Sequence, residues 1–165
     1  MATTIRAVAI TVSDRSSRGE QEDKSGPALV ELLRDAGAEV VAHEIVSDDL
    51  DQLAGQLREF AERNDVNLVV TTGGTGLGPR DNTPEATRSV IEREAPGLAE
   101  AMRQETRNKT PMAMISRGVC GIRAGTLIIN LPGSPTAVRE SFAVIKPVLQ
   151  HAVAVISGQP HAAAK

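Results

Sequence analysis

Short apolar runs alternate along the chain with longer stretches in which apolar residues recur every three or four positions. The runs IRAVAITV (5–12), EVVAHEIV (39–46), NLVVTT (67–72) and TLIINLP (126–132) are rich in β-branched residues and bounded by turn formers, so each predicts a strand. Leu29, Leu32, Leu33 and Ala36 follow helical spacing and stop at Gly37, a candidate left-handed cap. Leu50, Leu53, Leu57, Phe60 and Ala61 make a second such stripe. Val138, Phe142, Ile145, Leu149 and Ile156 make a third, with Pro147 expected to kink that helix. Strand then helix, repeated, predicts βαβ units and an α/β fold whose mostly parallel sheet is covered on both faces, which the near-continuous apolar runs support. The segment MAMISRGVCGIRAGTLIIN (112–130) breaks the alternation with glycines at 118, 121 and 125, and predicts two or three short strands forming an antiparallel hairpin at the sheet edge.

At 165 residues the chain fits one domain, 1–165, with the Ala-rich end HAAAK expected to fray. Hydrophobic residues at 41% and charged ones at 24% exclude wholesale disorder. A net charge of −3 leaves no general basic face for nucleic acid, and the absence of Trp and Tyr, with only Phe60 and Phe142, removes the stacking platforms of single-strand binders. The single Cys120 excludes an internal disulfide and fits a reducing compartment. The apolar stretch behind Arg6 is too short for a signal peptide or membrane span. A cytoplasmic protein is expected.

In open parallel sheets, ligands bind beyond the carboxyl ends of the strands. Three loops there carry unusual residues. VSDRSSRGEQEDKSGP (12–27) is a long polar excursion with Ser13 and Asp14 as candidates, and Ser25-Gly26-Pro27 is expected to open the next helix with Ser25 as cap. TTGGTGLGPRD (71–81) concentrates glycine where exposed amides could converge on a phosphate, with Thr72, Gly73, Gly74, Thr75 and Gly76 as candidates. Thr83-Pro84 should then start a helix with Thr83 as cap. Neither a Walker A loop nor a dinucleotide fingerprint fits the glycine spacing. Asp81 would be free to face a ligand if Thr83 caps, its other roles being a cap or a partner for Arg80. NLPGSPTAV (130–138) places Ser134 and Pro135 as N-cap and first-turn proline, with Gly133 open to a ligand.

In VSDDLDQL, one of Ser47, Asp48 and Asp49 must cap a helix, leaving carboxylates to spare. A carboxylate beside a phosphate nest calls for Mg²⁺ between them, and Asp48 with Asp81 could supply the one or two carboxylates Mg²⁺ commonly takes. His43, His151 and His161 lack metal-ligand spacing, and Cys120 reads as core.

The stretches VVTTGGTGLGPRDNTPEAT and IRAGTLIINLPGSPTAV, with TVSDR and DKSGP upstream, closely resemble the Mog/MoaB family of molybdenum-cofactor biosynthesis proteins, which includes the G domains of gephyrin and its plant counterpart. The resemblance runs from Ile5 to Gly158. It implies a three-layer α/β/α fold, commonly trimeric and hexameric in MoaB-type members, and a molybdopterin adenylyltransferase that uses Mg-ATP and releases pyrophosphate ahead of a metal-insertion protein. By the family pattern the aspartates associated with catalysis match Asp48 and Asp81, the same two carboxylates expected to hold Mg²⁺. Gly73 to Gly76 and Pro132, Gly133 and Ser134 match the loops lining the nucleotide and pterin pocket. Many relatives have proline where this chain has Ser47, so Asp49 stays an alternative to Asp48. The Arg-Asp-x-Thr-Pro form, which some MoaB-type members lack, is kept at 80–84 and favours the adenylylating branch. A pterin carrier without transfer activity, and a flavodoxin-like nucleotide binder, are the competing readings.

Overall fold

The computed structural model describes residues 2–159; the expectations for His161 and the HAAAK end lie outside them. The four apolar runs form β1 (Arg6–Val12), β2 (Glu39–Val46), β3 (Leu68–Thr72) and β6 (Thr126–Leu131). Between them and beyond lie α1 (Asp14–Ser17), α2 (Ser25–Asp35), α3 (Leu50–Ala61), α4 (Thr83–Val90), α5 (Pro96–Arg107) and α6 (Pro135–Ile156). Two short strands, β4 (Arg93–Glu94) and β5 (Cys120–Arg123), complete one sheet of order β2-β1-β3-β6-β5-β4. The first four strands in that order are parallel, and β5 and β4 add on antiparallel.

Alternate side chains of the central strands feed two cores, so the sheet is the middle of three layers. Ala7, Ala9, Val70, Ile129 and Leu131 face Leu29, Leu33, Met102, Phe142 and Ile145 of α2, α5 and α6. Val8, Ile10, Val12, Val69 and Ile128 face Leu53, Leu57, Phe60, Ala86 and Val90 of α3 and α4. Burial on both faces is why these strands read as continuous apolar runs.

The hairpin expected within 112–130 is β5–β6. It turns through Ala124 and Gly125, both at positive φ (48° and 78°), as a right-twisted two-residue connection requires. The front of that segment differs: Pro111–Ile115 forms a 3₁₀ turn, because Thr110 caps it by accepting from the Met112 amide and Pro111 occupies its first position. Strand β4 and helix α5 have no counterpart in the pattern reading, β4 being two exposed charged residues and α5 a largely polar helix. Gly37 does close α2 at φ 85°, and α6 continues through Pro147 as one element. Two expected caps move. Ser25 is the first helical residue, and the carboxylate of Asp23 takes the Gly26 amide at 2.9 Å instead. Thr83 likewise lies inside α4 and is buried, its hydroxyl drawn into the loop before it.

All four parallel strands end at one edge. From β1 the chain steps to β2 on one side, then crosses back to β3 on the other, so the order reverses between β1 and β3. The crevice at such a reversal is where open α/β sheets hold ligands.

Candidate functional site

The glycine-rich loop leaves β3 at that crevice, and tertiary crowding dictates its sequence. Gly73 sits at φ 103°, and a Cβ there would stand 2.4 Å from the Val12 carbonyl oxygen. Gly74 sits at φ 68°, where a Cβ would meet the Thr83 hydroxyl at 2.3 Å and an Asp48 carboxylate oxygen at 3.0 Å. Thr83 closes the loop, donating from its hydroxyl to the Gly73 carbonyl at 2.9 Å and from its amide to the Gly74 carbonyl at 3.1 Å. The next two glycines make room for Asp81: a Cβ at Gly76 or Gly78 would lie 2.9 Å from its Oδ2. The Gly78 amide donates to that oxygen at 2.8 Å, while the Asp81 amide donates to the Gly78 carbonyl at 3.0 Å. The loop is therefore folded around the Asp81 carboxylate.

Asp49 is the cap of α3, accepting from the Gln52 amide at 2.9 Å. That leaves Asp48, not Asp49, facing Gly74 and lining the polar cavity. Asp48 and Asp14 hold each other: the Asp14 amide donates to Asp48 Oδ2 at 2.9 Å and the Asp48 amide to Asp14 Oδ1 at 3.0 Å. Arg80 forks onto Asp14 at 3.0 and 2.9 Å rather than pairing with its neighbour Asp81. The consequences differ in sign. Arg80 holds the Asp14 carboxyl below the usual carboxylate range. Burial, then the charges of Asp14 and Asp81, push Asp48 above it.

The other expected residues divide. Ser13 caps the short α1 through its hydroxyl, which accepts from the Ser16 amide, and it also lines a cavity. Thr72 is buried with its hydroxyl donating to the Pro132 carbonyl at 2.6 Å, so it ties the β3 and β6 loops together. Gly133 packs on Gly73, a Cβ there lying 3.3 Å from the Gly73 Cα. Ser134 caps α6 as expected, accepting from the Ala137 amide at 3.1 Å.

Two cavities meet at this edge. One, of about 400 Å³, is mostly apolar and runs between α5, α6 and the 3₁₀ turn, with Thr75, Gly76, Met102, Arg103, Ile115 and Ser134 in its wall. The other, of about 530 Å³, is polar and carries Ser13, Asp23, Lys24, Asp48, Thr72 and Gly73. Gly74, Asp81 and Gly133 belong to both, so the glycine loop and Asp81 form the shared rim. Among the described residues no group of three or more His, Cys, Asp or Glu gathers in metal-binding fashion.

Several contacts at this edge were not read from the sequence. Asp23 accepts from the Thr11 hydroxyl at 2.8 Å, and His43, read as an ordinary strand residue, reaches Thr11 at 3.1 Å and Asp23 at 3.3 Å. Both neighbours of His43 Nε2 there act as acceptors or already spend their proton, so that nitrogen donates. Arg117 reaches the glycine loop from a distance of some forty positions along the chain, with no local motif to announce it.

A three-layer α/β protein with a glycine-rich loop, carboxylates beside it and a divided pocket at the topological switch is a nucleotide- or cofactor-handling class of protein. Comparison with known proteins makes the class specific: the chain belongs to the family described as "Probable molybdopterin binding domain", whose model matches residues 8–151. It is 40% identical over 157 residues to the molybdopterin adenylyltransferase of Helicobacter pylori strain J99, covering 94% of this chain and 89% of that protein. It is 43% identical over 149 residues to the molybdenum cofactor synthesis protein cinnamon of Drosophila melanogaster, covering 89% of this chain but only 25% of that protein. Among solved structures, the molybdopterin biosynthesis enzyme MoaB of Thermus thermophilus superposes with a TM-score of 0.89 at 48% identity, covering 96% of this chain and all (100%) of that one. The Mog protein of Mycobacterium ulcerans gives 0.88 at 39%, with 96% and 100% covered. The expected Mog/MoaB membership and α/β/α architecture are thus both borne out.

Proposed function

We propose that this chain is a molybdopterin adenylyltransferase, transferring AMP from Mg-ATP to the terminal phosphate of molybdopterin with release of pyrophosphate. The observation that carries the reading is the convergence of two carboxylates on the glycine loop: Asp81 on the rim common to the apolar and polar cavities, and Asp48 in the wall of the polar one, facing Gly74. A flat heterocycle suits the apolar cavity, where aliphatic side chains and glycine backbone replace the missing aromatics. The polar cavity suits phosphates. A phosphate oxygen of molybdopterin attacks the α-phosphorus of ATP at the rim, a new P–O bond forms, and the bond to the β-phosphate oxygen breaks as pyrophosphate leaves.

The residues present fit Mg²⁺. Asp48 is raised by burial and by two neighbouring carboxylates, while the nearby cation Arg80 is committed to Asp14, so a divalent ion held by Asp48 and Asp81 would relieve the repulsion. When bound, Mg²⁺ supplies charge neutralisation on the phosphates. The chain's own work is positioning: Gly73 to Gly76 bring backbone close to the phosphates, the α6 start capped by Ser134 presents its positive end, and Asp14 with Arg80 fixes the backbone of Asp48.

The same reading takes the chain as one domain, assembling as a homotrimer or, on the MoaB pattern, a hexamer, and delivering its product in the cytoplasm to a molybdenum-insertion protein. Among the described residues no helix is long and apolar enough to cross a membrane. The test is ATP-dependent pyrophosphate release with molybdopterin for the wild type, Asp48→Asn and Asp81→Asn. Wild-type turnover with loss of roughly hundredfold or more in each variant is expected. Wild-type rates in both variants would overturn the carboxylate roles, and a wild type that binds molybdopterin without turnover would make it a carrier.

A further inference from the structure

Resting on the adenylyltransferase reading, we infer that Arg117 is a positioning residue for Asp81, holding the glycine loop in the shape that aims this carboxylate at the shared rim. Arg117 follows the 3₁₀ turn, and its flanking residues Ser116 and Gly118 line the apolar cavity. Its amide donates to the Thr75 carbonyl at 2.8 Å, its Nε to the Gly76 carbonyl at 2.7 Å and its Nη2 to the Asp81 carbonyl at 2.7 Å. Its Nη1 pairs with Glu85 in the first turn of α4. One planar fork thus grips both ends of the turn that wraps the Asp81 carboxylate, and the helix start behind it. The Gly78 amide fixes only one Asp81 oxygen from inside the turn, so the direction of the carboxylate depends on the distance between residues 76 and 81. The guanidinium sets that distance.

A lysine cannot reproduce the arrangement, because its point charge lacks the fixed geometry needed to serve two carbonyls and a carboxylate together. Arg117 also joins the two cavities mechanically, linking the wall of the apolar one to a carboxylate that borders the polar one.

The test compares Arg117→Met and Arg117→Lys with wild type, with and without Asp81→Asn. Both variants are expected to remain folded by circular dichroism. The methionine variant should lose roughly ten- to hundredfold in kcat, as small misplacements of reacting groups do, with little change in KM for ATP. It should also need several-fold more Mg²⁺ for half-maximal rate, and the lysine variant should recover part of both losses. Asp81→Asn should mask the effect of Arg117→Met, since residues acting through one group are non-additive. Two readouts are independent of turnover: amide exchange of the 73–83 peptide should quicken, and Mn²⁺ binding in the presence of ATP should weaken. Wild-type kcat in Arg117→Met, or a rate loss with unchanged metal dependence and unchanged exchange, would overturn the positioning role. A wild type without turnover would sink the adenylyltransferase reading alone, because exchange and Mn²⁺ binding would still decide whether Arg117 holds the loop.

Discussion

At Asp48 the site works against the stability of the unliganded protein. Its folded carboxyl is raised above the usual range by burial first and by Asp14 and Asp81 second, so between the unfolded and folded values the native state binds more protons. The stability it contributes is present at low pH and lost as pH rises through the folded value. Replacing Asp48 by Asn, which keeps an oxygen to accept the Asp14 amide, should therefore raise the melting temperature near pH 7, with the gain shrinking as pH falls into the carboxylate range. Activity should be lost in the same variant. Melting curves across pH, beside the pyrophosphate assay, check both signs; a variant less stable than wild type at neutral pH would contradict the assignment. Asp14 has the opposite sign: Arg80 lowers it, so its contribution is present at neutral pH and lost on acidification. Sequence reading singled out Asp48, Asp81 and Asp14 as loop carboxylates, but sorting them into one raised, one lowered and one wrapped by its own turn required the contacts between three separate segments.

At the level of elements, positive φ alone does not set how costly a substitution is. Gly37 and Gly73 both have it, at 85° and 103°, yet nothing lies within 4 Å of a Cβ at Gly37, while one at Gly73 collides with the Val12 carbonyl. Gly37→Ala should lose about 1 kcal/mol, the ordinary cost of a left-handed cap without glycine. Gly73→Ala should lose about 2 kcal/mol or more, since β1 and β3 must part. Thermal melts would show the second as a drop of several degrees beyond the first, and equal drops would mean that the strand ends yield. Four of the strands, three of the helices and the edge hairpin followed from the pattern because apolar runs, helical stripes and turn glycines are written in consecutive residues. The caps at Ser25 and Thr83 were misplaced because Asp23 and the Gly73 carbonyl, supplied from outside the local pattern, compete for the same groups. Strand β4 escaped notice because two exposed charged residues carry no periodic signal, and helix α5 because the stripe it buries, Ala99, Met102 and Thr106, is short and only partly apolar.

On the scale of the molecule, the sheet separates two apolar cores, and Cys120 lies in the one beneath α2, α5 and α6. Burial pushes its thiol up to about 12, so it is un-ionised in the native state at any ordinary pH. Iodoacetamide at pH 8 should leave the folded protein unlabelled and modify it only as fast as it unfolds, a rate that mass spectrometry can follow; prompt labelling under native conditions would show that this core opens locally. The chain by itself determined the α/β class, the parallel sheet, the loops bearing chemistry and the motifs of a family, because apolar period and turn chemistry are local properties written in consecutive residues. Only the tertiary structure decided that Asp48 rather than Asp49 lines the polar cavity, that Arg80 pairs with Asp14, that Arg117 reaches the glycine loop and that His43 meets Thr11 and Asp23. These depend on contacts between residues some tens of positions apart, and their partners are fixed only when packing brings four strand ends to a single edge.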